Sequence, residues 1–486
     1  MYRTRSLYTT AGFQVQQNLH WEMLTDDQCE ALLDSTLELL ERTGVEIQNA
    51  DAQKAFADAG CYVDGSRVRI PTAKSEWAIR TAPSRVTLCD RNGKRAIMME
   101  ANSVHYGPGY TPENYMNQET GEERPFTIAD VEEFGKLCQM LPNINFAMAG
   151  GFPTDVDASS AELYACKTLL ETTTKPIVQN VKNAAQAKAV IDMAAAVAGS
   201  AAKAAADPLV ALHVTTAEPL QISDDALAVV MAAAEAKAPV VFSNNLVSGF
   251  TAPAESAGVL IVALANSLAA LVLSQIVNEG APFVTGGFFT NNDTVNGLHP
   301  YGSPEISLLG AGYANLLRYL RIPSFVFAGA TDAKTTDAQL GLESTLSVLH
   351  AGLSGTNLIS GAGIVESGCA ANPALLVLTD ETAAETQRIM RGVEMDEDRL
   401  ARGVIDEVKP GGNYLATKHT RYYFKKEQFW PTLMNRKRID DWSRDGSLTL
   451  GQRTVNKMKQ LLASYEQAPL ASDAASKLDE IVKAAK

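Results

Sequence analysis

The chain alternates short, continuously apolar runs with longer stretches whose apolar residues recur at helical spacing. Continuously apolar runs are typical of strands buried on both faces, and their alternation with helices predicts a parallel sheet covered by helices. Eight runs are present: VHYGPG (from residue 104), INFAMAGG (144), PIVQN (176), PLVALHVTT (208), PVVFSNN (239), PFVTGGFF (282), PSFVFAGATD (323) and TNLISGAG (356). Eight such units predict an α/β fold of the (β/α)8 TIM-barrel type.

The segments on either side of the eight units are mostly helical in pattern. TDDQCEALLDSTLELLERTG begins at Thr25, a candidate N-cap, and stops at Gly44, while Asn92-Gly93 marks a hairpin turn. We therefore expect an N-terminal helical extension with a hairpin over residues 1–102, the barrel over 103–372 and a C-terminal helical extension over 373–486. An open doubly wound sheet is the main alternative, but its glycine-rich phosphate-binding fingerprint follows none of the runs.

One stretch, AGVLIVALANSLAALVLSQIV (residues 257–277), is long and apolar enough to cross a membrane. Polar residues interrupt it, among them Asn266 and Gln275, and strands are predicted on both sides of it. We expect a barrel helix whose outer face is covered by a partner subunit or by a terminal segment. The basic N-terminus lacks the continuous apolar segment of a signal peptide.

Composition, charge and cysteine spacing exclude several classes of function. Hydrophobic residues make up 46% of the 486 residues and charged residues 20%, as in ordinary soluble globular proteins. The net charge of −14 argues against a nucleic-acid partner, whose phosphates require a basic surface. The six cysteines lie far apart, which fits reduced thiols in a cytoplasmic protein and argues against a zinc cluster or a disulfide framework.

The ends of the eight runs are the candidate positions for chemistry, because active sites in such barrels lie at the carboxyl ends of the strands. These positions hold glycines, neutral amides and aromatic residues, without histidine pairs at metal-ligand spacing or a nucleophile elbow. The glycines would leave room for a large partner molecule to approach the strand ends. Tyr106, Tyr110, Phe288 and Phe289 are candidates for a cage around a cation that has no N–H donors. Strand alternation requires one of each adjacent pair to face away.

The roles of three ionisable residues in or beside the predicted barrel need separate consideration. Lys334 follows the seventh strand and either forms a Schiff base or is a solvated lysine kept protonated by Asp332 and Asp337. His350 lies further along the next helix, where it either binds a substrate carboxylate or is packed. His213 falls within the fourth run and is expected to be a hydrogen-bonded core residue.

Three separated motifs resemble the trimethylamine methyltransferase family. They are ETGEERPFTIADV (residues 119–131), TDAKTTDAQLGLES (331–344) and PGGNYLATKHT followed by FWPTLMNRKRIDDW (410–442). The resemblance extends over nearly the whole chain. It implies a (β/α)8 barrel that passes a methyl group from a methylamine to the cob(I)alamin of a separate corrinoid protein.

The resemblance is to the branch of the family without pyrrolysine, since the pyrrolysine position falls at Lys334 and the sequence contains no pyrrolysine. Known members of this branch demethylate quaternary amines such as glycine betaine, proline betaine, carnitine or γ-butyrobetaine. We therefore expect glycine betaine as the first substrate, Asp332 and Lys334 in the pocket wall, and no permanently bound cofactor or metal. His350 is expected to bind the substrate carboxylate, with Lys334 in support.

The sequence is also compatible with two other functions. One is a Schiff-base lyase that uses Lys334 as its nucleophile. The other is a non-catalytic betaine-binding protein. In each case we expect a cytoplasmic homo-oligomer that binds a small molecule.

Overall fold

The computed structural model describes residues 20–484, which begin with a small α/β layer. Its elements are α1 (Asp26–Arg42), β1 (Val45–Ile47), α2 (Ala50–Asp58), β2 (Tyr62–Asp64), β3 (Arg67–Arg69), α3 (Thr72–Thr81), β4 (Val86–Cys89) and β5 (Arg95–Met99). The predicted N-cap of α1 is confirmed, because the Thr25 side chain accepts from the Gln28 N–H and the Gln28 side chain accepts from the Thr25 N–H. β4 and β5 form the predicted hairpin, with Gly93 at positive φ in its turn.

Seven parallel strands form the central sheet. The strands after the hairpin are β6 (His105–Pro108), β7 (Asn114–Met116), β8 (Glu123–Pro125), β9 (Ile177–Asn180), β10 (Val210–Thr216), β11 (Gln221–Ile222), β12 (Val240–Ser248), β13 (Phe283–Asn291), β14 (Ser324–Phe327), β15 (Leu358–Ala362), β16 (Ile364–Val365) and β17 (Ala370–Ala371). The order in the sheet is β6-β15-β14-β13-β12-β10-β9, and every pairing is parallel. The predicted α/β class with a parallel sheet is confirmed.

The second apolar run of the sequence, INFAMAGG, lies between the two edge strands β6 and β9. It makes isolated parallel bridges that pair Tyr106 with Ile144 and Ala147 with Ile177. The Asn145 N–H also donates to the Tyr106 carbonyl at 2.7 Å. This run therefore contacts both edges of the sheet, although it forms no regular strand of its own.

Helices follow the strands in the predicted alternation. They are α4 (Ile128–Met140), α5 (Ala161–Thr172), α6 (Ala184–Ala198), α7 (Ala201–Ala206), α8 (Asp224–Ala236), α9 (Ser256–Val277), α10 (Pro304–Tyr319), α11 (Ala338–Leu353) and α12 (Pro373–Met390). Because each helix returns the chain to the start of the next parallel strand, the carboxyl ends of all strands lie on one side of the sheet. We call this side the mouth and the opposite side the base.

The helix α9 is the only described helix that is long and apolar enough to cross a membrane, and most of it is buried inside the fold. The N-terminal helices α1, α2 and α3 pack against it, as does α8. A terminal segment therefore covers its apolar face, which is one of the two explanations that the sequence left open.

The interior of the curled sheet is filled by one layer of apolar side chains. The sheet contributes Val178, Ala211, Val241, Val284, Phe325 and Leu358, and the second run contributes Phe146 and Met148. The hairpin β4–β5 adds Val86, Leu88, Ile97 and Met99 from below, and its Cys89 N–H donates to the carbonyl of Pro208, just before β10. Among the described residues, the hairpin closes the base and leaves the mouth as the open end of the sheet.

The segment that follows α12 has two parts that differ in packing. Its helices are α13 (Glu397–Leu400), α14 (Arg402–Val408), α15 (Lys418–Glu427), α16 (Ile439–Arg444), α17 (Leu450–Ala463) and α18 (Ser472–Ala484). The helix α17 packs against α4 and α12, and α18 packs against α5 and α6. The four shorter helices bury no residue at all, although the structure describes every residue in them.

Candidate active site

Strand alternation divides the predicted pair Phe288 and Phe289 between the two faces of the sheet. Val284 on β13 belongs to the interior layer, so Phe288, four residues later, faces the interior at the mouth. Phe289 is fully buried on the outer face, where its ring lies 5.1 Å from that of Tyr313 on α10. Of these two residues, only Phe288 is positioned to contact a ligand.

Phe288, Tyr301 and Phe327 form what we call the aromatic cluster of the mouth. Their ring centroids are 4.5 Å apart for Phe288 and Tyr301, 5.0 Å for Phe288 and Phe327, and 5.5 Å for Tyr301 and Phe327. Phe288 and Tyr301 remain partly exposed. Burial raises the pKa of Tyr301 to about 12, so its phenol is neutral. The cluster therefore offers a neutral aromatic surface, which attracts a cation through the negative faces of its rings.

Asp332 positions the loop that carries Tyr301. Its carboxylate accepts hydrogen bonds from the N–H groups of Tyr301 (2.6 Å) and Gly302 (2.9 Å) and from the hydroxyl of Ser367 (2.7 Å). Tyr301 lies beyond the end of β13, so these bonds supply the positioning that a strand would otherwise give. Asp332 thus lies behind the aromatic cluster and acts through the loop.

Sequence reasoning missed two of the three residues of the cluster. Phe327 lies on the seventh run with the same parity as Phe325, so strand alternation alone would have identified it. Tyr301 lies ten residues beyond the end of β13, in an irregular segment. No sequence pattern connects Tyr301 to Asp332, because their contact is tertiary.

A second group of side chains lies next to the cluster, centred on Tyr110. The Tyr110 hydroxyl is 3.0 Å from the hydroxyl of Thr215, and its ring meets that of His213 edge-on at 4.9 Å. His213 Nδ1 lies 3.3 Å from the side-chain oxygen of Asn180, and its ring is 5.2 Å from Phe325 of the interior layer. Burial lowers the pKa of His213 to about 3, so the imidazole is neutral. This group forms a polar but uncharged floor.

Asn245 places an amide beside the aromatic cluster. It is paired in register with Phe288 across β12 and β13, and it has the interior parity of Val241. Asn245 is exposed, whereas Asn244 is buried on the outer face, where its amide donates to the Ser267 hydroxyl at 2.9 Å. Asn245 is therefore a hydrogen-bonding residue of the mouth that the sequence-based site did not include.

Tyr106 is not part of the mouth, contrary to the predicted cage. It is buried on the outer face of β6, and a Cβ at Gly352 of α11 would come within 2.7 Å of its hydroxyl oxygen. Burial raises the pKa of Tyr106, and the neighbouring side chain of Thr386 on α12 offsets this only in part. The tyrosine packs between the sheet and two helices.

His350 is also remote from the mouth, which corrects the proposed carboxylate contact. The helix α11 begins at the mouth and runs toward the base, so its penultimate turn lies near the start of the strands. There the His350 ring contacts the ring of Trp21, with centroids 5.0 Å apart, and its Nδ1 hydrogen-bonds the Leu346 carbonyl at 2.7 Å. The physical reason for the error is the length of the helix, which carries His350 about 18 Å from its first residue.

Lys334 lies at the mouth but is exposed, and its Nζ donates to the Asp332 carbonyl at 2.7 Å. Glu366 and Glu123 lie nearby. Burial, followed by the hydrogen bond and charge of Glu123, raises the pKa of Glu366, whereas the charge of Lys334 lowers it. A lysine becomes a good nucleophile when burial removes its proton. Exposed beside carboxylates, Lys334 lacks that condition, so the geometry gives no support to a Schiff base.

The glycines at the strand ends serve close packing and do not open the mouth. A Cβ at Gly107 would overlap the ring of Phe146, and one at Gly109 would overlap the side chain of Ile364. Gly286 has no room for a Cβ because the carbonyl of Phe325 on the neighbouring strand occupies that space. The expectation that these glycines leave room for a large partner is therefore wrong.

Comparisons with known proteins agree with this architecture. The model of the family described as trimethylamine methyltransferase (MTTB) matches residues 3–486. A solved structure of the monomethylamine methyltransferase MtmB of Methanosarcina barkeri is similar with a TM-score of 0.51 and 12% sequence identity, over 98% of this chain and 89% of that chain. At that identity the similarity concerns the fold, and MtmB supports a barrel-like α/β architecture.

Two curated relatives are similar over nearly their whole length. The trimethylamine methyltransferase MttB of Desulfitobacterium hafniense (strain DSM 10664 / DCB-2) is 32% identical over 99% of this chain and 97% of that protein. The glycine betaine methyltransferase of Desulfitobacterium hafniense (strain Y51) is 30% identical over 95% of this chain and 96% of that protein. This chain is therefore a methyltransferase that belongs to the trimethylamine methyltransferase (MTTB) family.

Proposed function

We propose that the protein transfers a methyl group from a quaternary amine, with glycine betaine as the first candidate, to the cob(I)alamin of a separate corrinoid protein. The observation that carries the proposal is the aromatic cluster of Phe288, Tyr301 and Phe327 at the open end of the sheet. A quaternary ammonium has no N–H donor, so aromatic faces bind it better than hydrogen-bond acceptors do.

The chemistry that this substrate requires fits the residues of the mouth. When a quaternary amine loses a methyl group, the leaving group is a neutral tertiary amine, so no general acid is needed. Cob(I)alamin supplies the nucleophile. The protein then has to bind the cation and hold one methyl toward the open side. A neutral floor of Tyr110 and His213 beneath a neutral aromatic cluster is consistent with that role.

The carboxylate of a betaine needs hydrogen-bond donors, because burying it unpaired is costly. Asn245 and the Tyr110 hydroxyl are the donors that the geometry favours, since both lie on interior-facing positions near the cluster. His350, which faces the base, no longer enters the assignment. Lys334 remains at the rim, where its charge attracts the carboxylate end of the substrate.

We also infer the finer architecture. The bridges of residues 144–147 to both sheet edges support a closed (β/α)8 barrel. In it the run INFAMAGG, second along the chain, would complete the seven strands to eight by lying between β6 and β9. We retain the division into an N-terminal extension (1–102), a barrel (103–372) and a C-terminal extension (373–486). The cytoplasm is the proposed location, and a homo-oligomer the proposed state.

The test measures methylation of cob(I)alamin through the absorbance of methylcobalamin. The purified protein would be incubated with free cob(I)alamin and one methyl donor at a time. The donors are glycine betaine, proline betaine, carnitine, γ-butyrobetaine, tetramethylammonium and trimethylamine. We expect turnover with at least one quaternary amine and none with trimethylamine. Turnover with trimethylamine alone would refute the quaternary-amine assignment, and ligand binding without any methyl transfer would favour a betaine-binding protein.

A further inference from the structure

The C-terminal extension contains a strongly basic segment, residues 409–438, which we call the basic arm. It holds eight Lys and Arg residues and one acidic residue, so its net charge is +7. The whole chain carries −14, so the other residues together carry −21. The arm also exposes large apolar side chains: Tyr414, Leu415, Tyr422, Phe424 and Trp430. An exposed surface that is both aromatic and opposite in charge to the rest of its molecule is typical of an interface.

The packing of the arm is incomplete within one molecule. The helix of the arm, α15, has 10 residues, and none of them is buried. Isolated helices shorter than about 12–15 residues are only marginally stable in water, and most helical stability comes from packing an apolar face. The arm is fixed at two places on α12. At its root Arg388 donates to the Glu427 carbonyl at 2.7 Å, and further along Glu381 accepts from the N–H groups of Thr432 and Leu433. The exposed aromatic face of α15 is therefore available to a covering surface.

The root of the arm lies toward the base of the sheet, away from the mouth. The helix α12 begins at the mouth and has 18 residues, so its end lies about 27 Å from its start. At that end Met390 and Tyr106 both approach Gly352, near the end of α11. Only the α15 part of the arm lies at this end, because Leu433 further along the arm accepts from Arg453 in the first turn of α17, near Thr336 of the mouth. A corrinoid protein has to reach the mouth and leave it in each turnover, so it is a poor candidate for the occupant of α15.

The described part of the chain also presents an acidic surface that matches the arm. Asp26, Glu30, Asp34 and Glu38 recur every fourth residue along α1 and are all exposed, and we call them the acidic stripe. Residues four apart lie on one face of a helix. The charges of Glu30, Asp26 and Asp34 contribute, after burial, to raising the pKa of Tyr319, which places this half-exposed aromatic ring beside the stripe.

We propose that the basic arm of one molecule packs on the acidic stripe of a second copy, and the reverse, in a symmetric dimer. Such an isologous interface needs both surfaces on each molecule. Trp21, just before α1, donates to the Leu353 carbonyl at the end of α11, so stripe and arm root lie toward the same end of the molecule. Residues 1–19, outside the described range, carry two arginines and no acidic residue, so they do not complement the arm.

The experiment measures molar mass by light scattering after size exclusion, together with the thermal melt and methyl transfer to free cob(I)alamin. The full-length protein is expected to be a dimer. The arm variant Arg421→Glu/Lys425→Glu/Lys426→Glu and the stripe variant Glu30→Lys/Asp34→Lys/Glu38→Lys should each be monomers. A chain that carries both sets should dimerise again, because each contact then regains opposite charges.

A matched control changes three exposed lysines elsewhere, Lys54→Glu/Lys188→Glu/Lys203→Glu, and should remain a dimer. A monomeric wild type, a dimeric arm variant or a combined variant that stays monomeric would each overturn the proposal. A second assay with the cob(I)alamin of a corrinoid protein would identify the alternative: a dimeric arm variant that loses turnover only in this assay would mean that the arm binds the acceptor. These results are independent of the proposed function, which is judged by turnover of the wild type.

Discussion

The mouth and the base of the sheet use the same interior-facing positions for different purposes. At the base these positions carry close-packed apolar side chains, and the hairpin β4–β5 adds four more. At the mouth the next positions along the same strands carry Phe288, Asn245 and Thr215, which are partly or fully exposed. Along each strand, the interior-facing residues near the base therefore stabilise the fold, whereas those at the mouth are accessible to a ligand. Substitutions at the two ends should separate stability from binding.

The largest expected effect is at the base. Phe325→Ala removes a ring that is 2% exposed in the interior layer, and a cavity of this type costs about 3–5 kcal/mol of unfolding free energy. Chemical denaturation followed by circular dichroism measures the loss. If Phe325→Ala kept wild-type stability but lost substrate binding, the distinction between base and mouth would be wrong.

The next effect concerns the loop behind the mouth. Asp332→Ala leaves the N–H groups of Tyr301 and Gly302 without their acceptor, and hydrogen bonds to a charged group are worth about 1.5–3 kcal/mol each. Because Tyr301 would lose its position, we expect the Kd for tetramethylammonium to rise at least tenfold by calorimetry. Asp337→Ala, which removes a helix cap on the same loop, should leave this Kd unchanged.

Acid should destabilise the floor of the mouth. The pKa of His213 is lowered to about 3 in the folded protein by burial, whereas an unfolded histidine titrates near 6.5. Below pH 6.5 the unfolded chain therefore binds the extra proton, and stability falls as the pH falls toward 3. At pH 5 this linkage amounts to about 2 kcal/mol. His213→Leu should lose less stability between pH 7 and 5 than the wild type does, and equal slopes would contradict the assignment.

The smallest effect gives the sharpest comparison, because it concerns two neighbouring residues. Phe288→Ala should weaken binding of glycine betaine and of tetramethylammonium by about 1–2 kcal/mol, the usual contribution of one desolvated aromatic face. Phe289→Ala should lower the free energy of unfolding and leave the Kd of the folded protein unchanged, since Phe289 contacts Tyr313 on the outer face. An equal loss of affinity in both variants would mean that the cluster is not the cation site.

The sequence singled out two of the four aromatic residues that the structure brings together at the mouth. Phe288 was singled out because it lies at the end of an apolar run and Tyr110 because it directly follows one, and the rule of strand alternation correctly required one of Phe288 and Phe289 to turn away. The rule could not say which one, since that depends on which face of β13 meets the interior layer. Tyr106 was assigned to the wrong face for the same reason.

Local patterns determined the α/β class, the parallel sheet, the cap of α1 and the hairpin turn, because each depends on residues close together in the chain. Only the tertiary structure decided which side chains meet. Asp332 reaches Tyr301 across 31 residues, His350 is carried to the base by the length of α11, and α1 to α3 cover α9 from more than 170 residues away. Contacts of this kind depend on how whole elements pack, and packing is set by complementary surfaces that no single stretch of sequence contains.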